Sequence, residues 1–123
     1  VMRNEGMKKG MKEWVKKTRT ALDEMDRLLT GNKIWVQRTV DVAKFSKEDC
    51  LKYSVSGPVA RASAIDIDLR RDVPYLYYDK IEFDVPVAQT GDVFDRYPVR
   101  MEEIRQSLNI IQQCTERMKP GPI

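Results

Sequence analysis

The residues of this chain that could carry chemistry are acids and arginines gathered in its middle: Arg61, Asp66, Asp68 and Arg70, then Asp79, Asp84, Asp95, Arg96 and Arg100. They alternate with apolar residues, so some must be partly buried, and a buried charge needs a partner. Arginine suits that role because its planar fork matches a carboxylate in fixed two-bond geometry. Two readings of this group stay open. The charges are salt bridges that pin loops to helices, or a polar network that shapes a ligand pocket or relays protons through carboxylates of shifted pKa. Other chemistry is absent from the residue list. There is no histidine, which removes the commonest general base and metal ligand and every Ser-His or Cys-His nucleophile pair. Cys50 and Cys114 stand 64 positions apart and cannot by themselves build an iron–sulfur or zinc site, which takes about four ligands. Both read as small buried thiols rather than a disulfide. Gly31, Gly57 and Gly91 are isolated and form no phosphate loop. The expectation is a piece that is not a self-contained catalyst and binds no metal of its own.

The elements that must hold these residues are mainly helical. Met11, Trp14, Thr18, Ala21, Met25 and Leu28 alternate steps of three and four, with Val15, Leu22 and Leu29 widening the stripe, which predicts an amphipathic helix over about 10–29. Residues 1–9 show no period and read as a loop. Thr30-Gly31-Asn32 can close the helix in the left-handed conformation. Residues 34–40 fit no period. Ser46 begins a short helix over about 46–53, its oxygen accepting from the N–H three residues on. A charged irregular region fills 54–78. Ile81-Glu82-Phe83-Asp84-Val85-Pro86-Val87 alternates apolar and polar, predicting a strand over about 81–87, at an edge because Pro86 lacks an N–H. Phe94, Tyr97, Met101, Ile104, Leu108, Ile111, Thr115 and Met118 predict a last helix over about 93–118, with Asp92 as its N-cap and Pro98 disturbing its entry. The fold expected is α+β, mainly helical: two long amphipathic helices, a short helix and a small β element, in one unit of 123 residues. The Lys-rich stretch from Lys8 to Arg19 reads as a solvated helix face.

With 22 Lys+Arg against 19 Asp+Glu, the net charge of +3 is too even to argue for nucleic acid. No run approaches the roughly 20 apolar residues of a membrane span, and no signal peptide is visible, so membrane association would come through partners. Val1 at the start and the turn-rich Pro120-Gly121-Pro122-Ile123 at the end read as the edges of a piece cut from something longer.

Three stretches carry a resemblance. They are Leu28-Leu29-Thr30-Gly31-Asn32-Lys33-Ile34-Trp35-Val36-Gln37-Arg38-Thr39; Ser56-Gly57-Pro58-Val59-Ala60-Arg61-Ala62-Ser63 running to Asp68-Leu69-Arg70 and Pro74-Tyr75; and Tyr78-Asp79 through Phe83-Asp84-Val85-Pro86-Val87, Gly91-Asp92, Asp95-Arg96-Tyr97, Arg100-Met101-Glu102-Glu103, Arg105-Gln106-Ser107 and Pro120-Gly121-Pro122. In order and spacing they are similar to the central part of the large quinone-module subunit (the D-type subunit) of bacterial respiratory complex I, a family distantly similar to nickel–iron hydrogenase large subunits. The resemblance implies a share in a proton-translocating NADH:quinone oxidoreductase on the cytoplasmic side of the inner membrane. Such a complex uses NADH, flavin, iron–sulfur clusters and quinone. It further implies other complex I subunits as partners, above all the small neighbouring subunit that carries the terminal cluster, and a quinone-headgroup site built from residues outside this piece. Carried over by position, Arg61, Asp68, Arg70, Asp95, Arg96 and Arg100 are expected to give structural or electrostatic support around the quinone cavity. Two departures stand out: the family pattern has glycine where Ala64 stands and a non-proline residue at Pro98. The alternatives are the same subunit in a sister complex fed by reduced deazaflavin, ferredoxin or formate, or a plain helical interaction module. The last would leave an apolar stripe exposed, and self-association of the excised piece is expected from the same cause.

Overall fold

A computed structural model describes residues 2–119, with side chains from Glu5 onward. Val1 and residues 120–123, the edges that suggest a cut piece, lie outside the described residues. Six helices appear in chain order, with one 3-10 turn: α1 Met2–Thr30, α2 Lys33–Thr39, α3 Lys47–Lys52, α4 Gly57–Ala62, α5 Leu69–Asp72, the turn Tyr78–Lys80, and α6 Val93–Arg117.

The helix α1 starts at Met2, so residues 2–9, expected as loop, are helical; Lys, Met and Glu there supply helix propensity that the missing apolar period concealed. Its C-terminal end is not closed in left-handed conformation. Asn32 has φ −85° and caps the next helix instead, its Oδ1 accepting from the N–H groups of Ile34 at 3.0 Å and Trp35 at 3.3 Å. Those bonds make the unassigned 34–40 stretch the helix α2. Ser46 caps α3 as expected, accepting from Asp49 N at 3.0 Å, and Cys50 behind it is fully buried, whereas Cys114 is exposed.

The β element is not there. No strand or sheet occurs among the described residues, and the fold is helical. Residues 81–87 are nonetheless extended and alternate as the sequence suggested, with Ile81, Phe83 and Val85 half-buried and Glu82 and Asp84 exposed. What is missing is a ladder. Side-chain amides of α6 take its place: Glu82 N donates to Gln113 Oε1 at 3.1 Å, Gln113 Nε2 donates to Glu82 O at 2.6 Å, and Asp84 N donates to Gln106 Oε1 at 3.1 Å. Backbone groups need partners, and glutamines on a helix satisfy them as a neighbouring strand would.

The central element is α6. Asp92 caps it, accepting from Asp95 N at 2.7 Å, and the helix runs through Pro98 rather than starting there. Pro98 is exposed and lacks the N–H that Phe94 O would have received. On one side of α6, Met101 and Leu108 pack with Val15 and Leu22 of α1, joined by Tyr97 and Ile111. A second small core lies beyond α4: Cys50, Ala60 and Ile65, with Phe45 and Val55. Trp35 of α2 bridges to the start of α6, its ring 4.9 Å from Tyr97 and 5.5 Å from Phe94.

Candidate functional site

The charged middle condenses where α4 meets α6. Pro58 suits the first turn of α4, and Gly57 takes φ +68°, a backbone region open chiefly to glycine. One turn on, Arg61 points at α6, its side chain only 12% exposed. Its Nε donates to Glu103 Oε1 at 2.6 Å, Nη2 contacts the same carboxylate, and Nη1 donates to Ile67 O at 3.2 Å. One guanidinium therefore ties α4, α6 and the loop that follows α4.

That loop delivers Asp68 to its partner. Asp68 caps α5, accepting from Arg70 N at 2.9 Å, and its carboxylate also receives Arg70 Nε at 3.0 Å and Nη2 at 2.7 Å. The Arg70 bond is the main cause that holds the Asp68 carboxyl below the usual aspartate range, and Arg61 adds to it through its charge. Arg70 lies over the Phe83 ring at 4.9 Å, a favourable cation–π distance. Phe83 belongs to the extended segment already held by Gln106 and Gln113. The contacts close a ring: Glu103 to Arg61, the Ile67 carbonyl, the Asp68–Arg70 pair, Phe83, and back to α6.

Of the six sequence-selected residues, Arg61, Asp68 and Arg70 thus come together. Asp95 and Arg96 do not join them. Both work at the entry to α6. The Asp95 carboxylate accepts from Thr90 N at 2.7 Å, Thr90 Oγ1 at 2.6 Å and Gln89 N at 3.2 Å. Burial pushes that carboxyl up, but the Thr90 hydroxyl and the two N–H groups outweigh it and leave it below its ordinary value. Arg96 donates from Nη2 to Gly91 O at 2.9 Å and to Ala43 O, with its guanidinium 5.6 Å from the Phe45 ring centre. Its buried Nε has no partner. Arg100 is exposed on α6 and makes no ion pair among the described residues.

Sequence reasoning passed over the residue at the centre of this arrangement, Glu103. It stands in the Arg100–Glu103 stretch that carried the resemblance, and three residues later Gln106 occupies the same helix face, so a search for polar residues spaced three and four apart on α6 would have found it. Arg105 was also missed; it reaches Asp26 of α1 at 3.1 Å and Asp23 at 3.4 Å. Gly91 is a third. It has φ +71°, and a Cβ there would lie 2.1 Å from Phe45 O, so only glycine lets the 40–46 loop pack on the α6 entry.

Chemically the ring holds two neutralised pairs, Arg61–Glu103 and Arg70–Asp68, whereas Asp95 is met by uncharged donors and Arg96 by backbone carbonyls. Among the described residues no group of three or more His, Cys, Asp or Glu is placed to hold a metal ion. No helix among the described residues is long and apolar enough to cross a membrane.

The family model for the respiratory-chain NADH dehydrogenase 49 Kd subunit matches residues 3–123. This chain belongs to that family. Within it, the chain is 47% identical over 118 residues to the D-type subunit of NADH-quinone oxidoreductase from Gluconacetobacter diazotrophicus, a match that covers 96% of this chain and 28% of the relative. It is 44% identical over 119 residues to the D-type subunit of Magnetococcus marinus, covering 97% of this chain and 30% of the relative. Against the second C/D-type protein of the same oxidoreductase in Aquifex aeolicus the identity is 48% over 118 residues, covering 96% and 20%. The chain thus spans less than a third of the length of these 49 Kd relatives.

Proposed function

We propose that the chain is a supporting part of the quinone module in a membrane-associated, proton-translocating NADH:quinone oxidoreductase. The match to the 49 Kd family over nearly every residue carries this reading, together with relatives named as the D-type subunit of NADH-quinone oxidoreductase. In it the electrons pass through flavin, iron–sulfur clusters and quinone bound elsewhere in the complex. The partners are the other complex I subunits, chiefly the small iron–sulfur subunit, and these hold the chain on the cytoplasmic side of the inner membrane. The ring from Glu103 through Arg61 to Phe83 supplies rigidity and a fixed charge pattern beside the quinone cavity, while Asp95 and Arg96 fix the entry of α6. Neutral, paired charges suit such a role because they hold geometry without adding a net field.

The test is quinone reduction by membranes from the source organism, with and without the full-length gene. NADH-driven, gene-dependent activity supports the reading. Activity driven only by reduced deazaflavin, ferredoxin or formate moves the chain to a sister complex with the same quinone role. In an active complex, Arg61→Ala and Asp95→Ala should each lower quinone reductase activity severalfold. Unchanged activity with the complex fully assembled would overturn the supporting role of these residues.

A further inference from the structure

The extended segment over residues 81–87 has two backbone edges, and α6 occupies only one of them. In an extended chain the N–H and C=O of successive residues point to opposite sides, so even and odd positions face different neighbours. The even positions turn to α6 and α4. Arg117 donates to Lys80 O, Gln113 meets both the N–H and the C=O of Glu82, Asn109 donates to the same carbonyl at 3.3 Å, and Gln106 accepts from Asp84 N. Beyond Pro86, Ala88 donates to Arg61 O and accepts from Ala64 N, both at 3.0 Å. Gln106, Asn109, Gln113 and Arg117 stand three, four and four apart, so one polar stripe of α6 does what a partner strand would do.

The odd edge is open. Among the described residues nothing accepts from the N–H groups of Phe83, Val85 and Val87, and nothing donates to their carbonyls. Two devices that commonly blunt such an edge leave this one untouched. Pro86, the residue of the segment without an N–H, falls on the even side and removes no donor from the odd side. The even bonds keep step from Lys80 to Ala88, so no bulge turns the odd edge away.

We infer that a second extended segment of the same protein pairs along this odd edge, through backbone bonds at Phe83, Val85 and Val87. The chemistry of the edge names its occupant. Three N–H donors and three C=O acceptors, each set spaced two residues apart, match another extended chain whatever its side chains. The length of the relatives names its source. The match to this chain covers 28% and 30% of two D-type subunits, so most of a protein of that length lies outside it. A segment on the same polypeptide reaches the edge without the association cost that a separate subunit meets. This pairing is independent of the quinone role proposed above.

The experiment uses the full-length protein within its assembled complex. Amide exchange is read residue by residue across 81–87. The expected result is exchange at Phe83, Val85 and Val87 slowed about a hundredfold or more against an unstructured peptide, as at Glu82 and Asp84. In a second arm the exposed Asp84 is replaced by the photo-reactive p-benzoylphenylalanine, whose side chain lies within about 5–8 Å of a neighbouring strand. Illumination should join it to a segment of the same polypeptide outside the 123 residues of this chain. Rapid exchange at the three odd amides overturns the pairing. A complex in which the probe makes no such link within its own polypeptide, or links only to another subunit, overturns the occupant.

Discussion

Ala64 sits at φ 62°, a backbone region that glycine enters freely and alanine resists. Its N–H nevertheless donates to Ala88 O at 3.0 Å while Ala88 N donates to Arg61 O at 3.0 Å, so the loop is held there by its neighbours. Ala64→Gly should therefore raise stability by about 0.5–1 kcal/mol, the relieved strain exceeding the extra freedom of the unfolded chain. Gly91→Ala should do the opposite, losing at least about 2 kcal/mol, since strain and a contact with Phe45 O act together. Urea midpoints of the two variants against the parent decide both signs. Acid gives the third residue-level expectation. Asp68 has its pKa lowered in the folded chain, so its pairing contributes stability above the ordinary aspartate value of about 3.9 that is lost as pH falls through the lowered folded value. Asp68→Asn should flatten the fall in stability below about pH 4 while lowering stability at pH 7. A parallel downward shift at both pH values, read by urea titration, would contradict this.

Among the elements, what could be read from the sequence was whatever depends on local chemistry or on one helix face. Ser46 and Asp92 were legible as caps because an N-cap oxygen and its N–H are three residues apart. The α6 stripe was legible because Tyr97, Met101, Leu108 and Ile111 share one face. Residues 2–9 were not, because Met7 alone continues the apolar stripe among polar neighbours, too little to show a period. Residues 81–87 mark the limit most clearly. Period two reports that a chain is extended with one face buried; it does not say what accepts its backbone bonds. Here Gln113 both accepts from Glu82 N and donates to Glu82 O. The site shows the same division: Arg61, Asp68 and Arg70, close in sequence, lie together in the fold, while the Arg61 partner Glu103 stands 42 residues away. Gln113→Leu should leave Glu82 N without its partner and Glu82 O with Asn109 Nδ2 alone, cost about 0.5–1.5 kcal/mol, and speed amide exchange at Glu82 with little change at Asp68. Uniform loss of protection across the chain would argue that the segment is not held by that glutamine.

For the molecule as a whole, α6 is the element on which α1, α2 and α4 all pack. Its apolar face carries α1, its face bearing Val99 and Glu103 carries α4, its polar residues hold the extended segment, and its first turn receives Trp35 and the 40–46 loop. The two small cores form separate clusters, and α6 meets both, the first through Met101 and Leu108 and the second through its contact with α4. Each is small for a chain of 123 residues, and much apolar surface stays exposed, so stability must depend strongly on the α1–α6 seam. Leu108 is 2% exposed at the centre of that seam. Leu108→Ala should remove about 2–4 kcal/mol, from lost burial and the cavity left behind. It should also lower the unfolding midpoint reported by Trp35 fluorescence, in a Trp14→Phe background, as much as the midpoint reported by helical circular dichroism. Coincident curves mean that α6 couples both cores into one cooperative unit. If Trp35 and the α3–α4 core outlast the loss of α1 helicity, α6 is instead a spine on which two halves unfold separately.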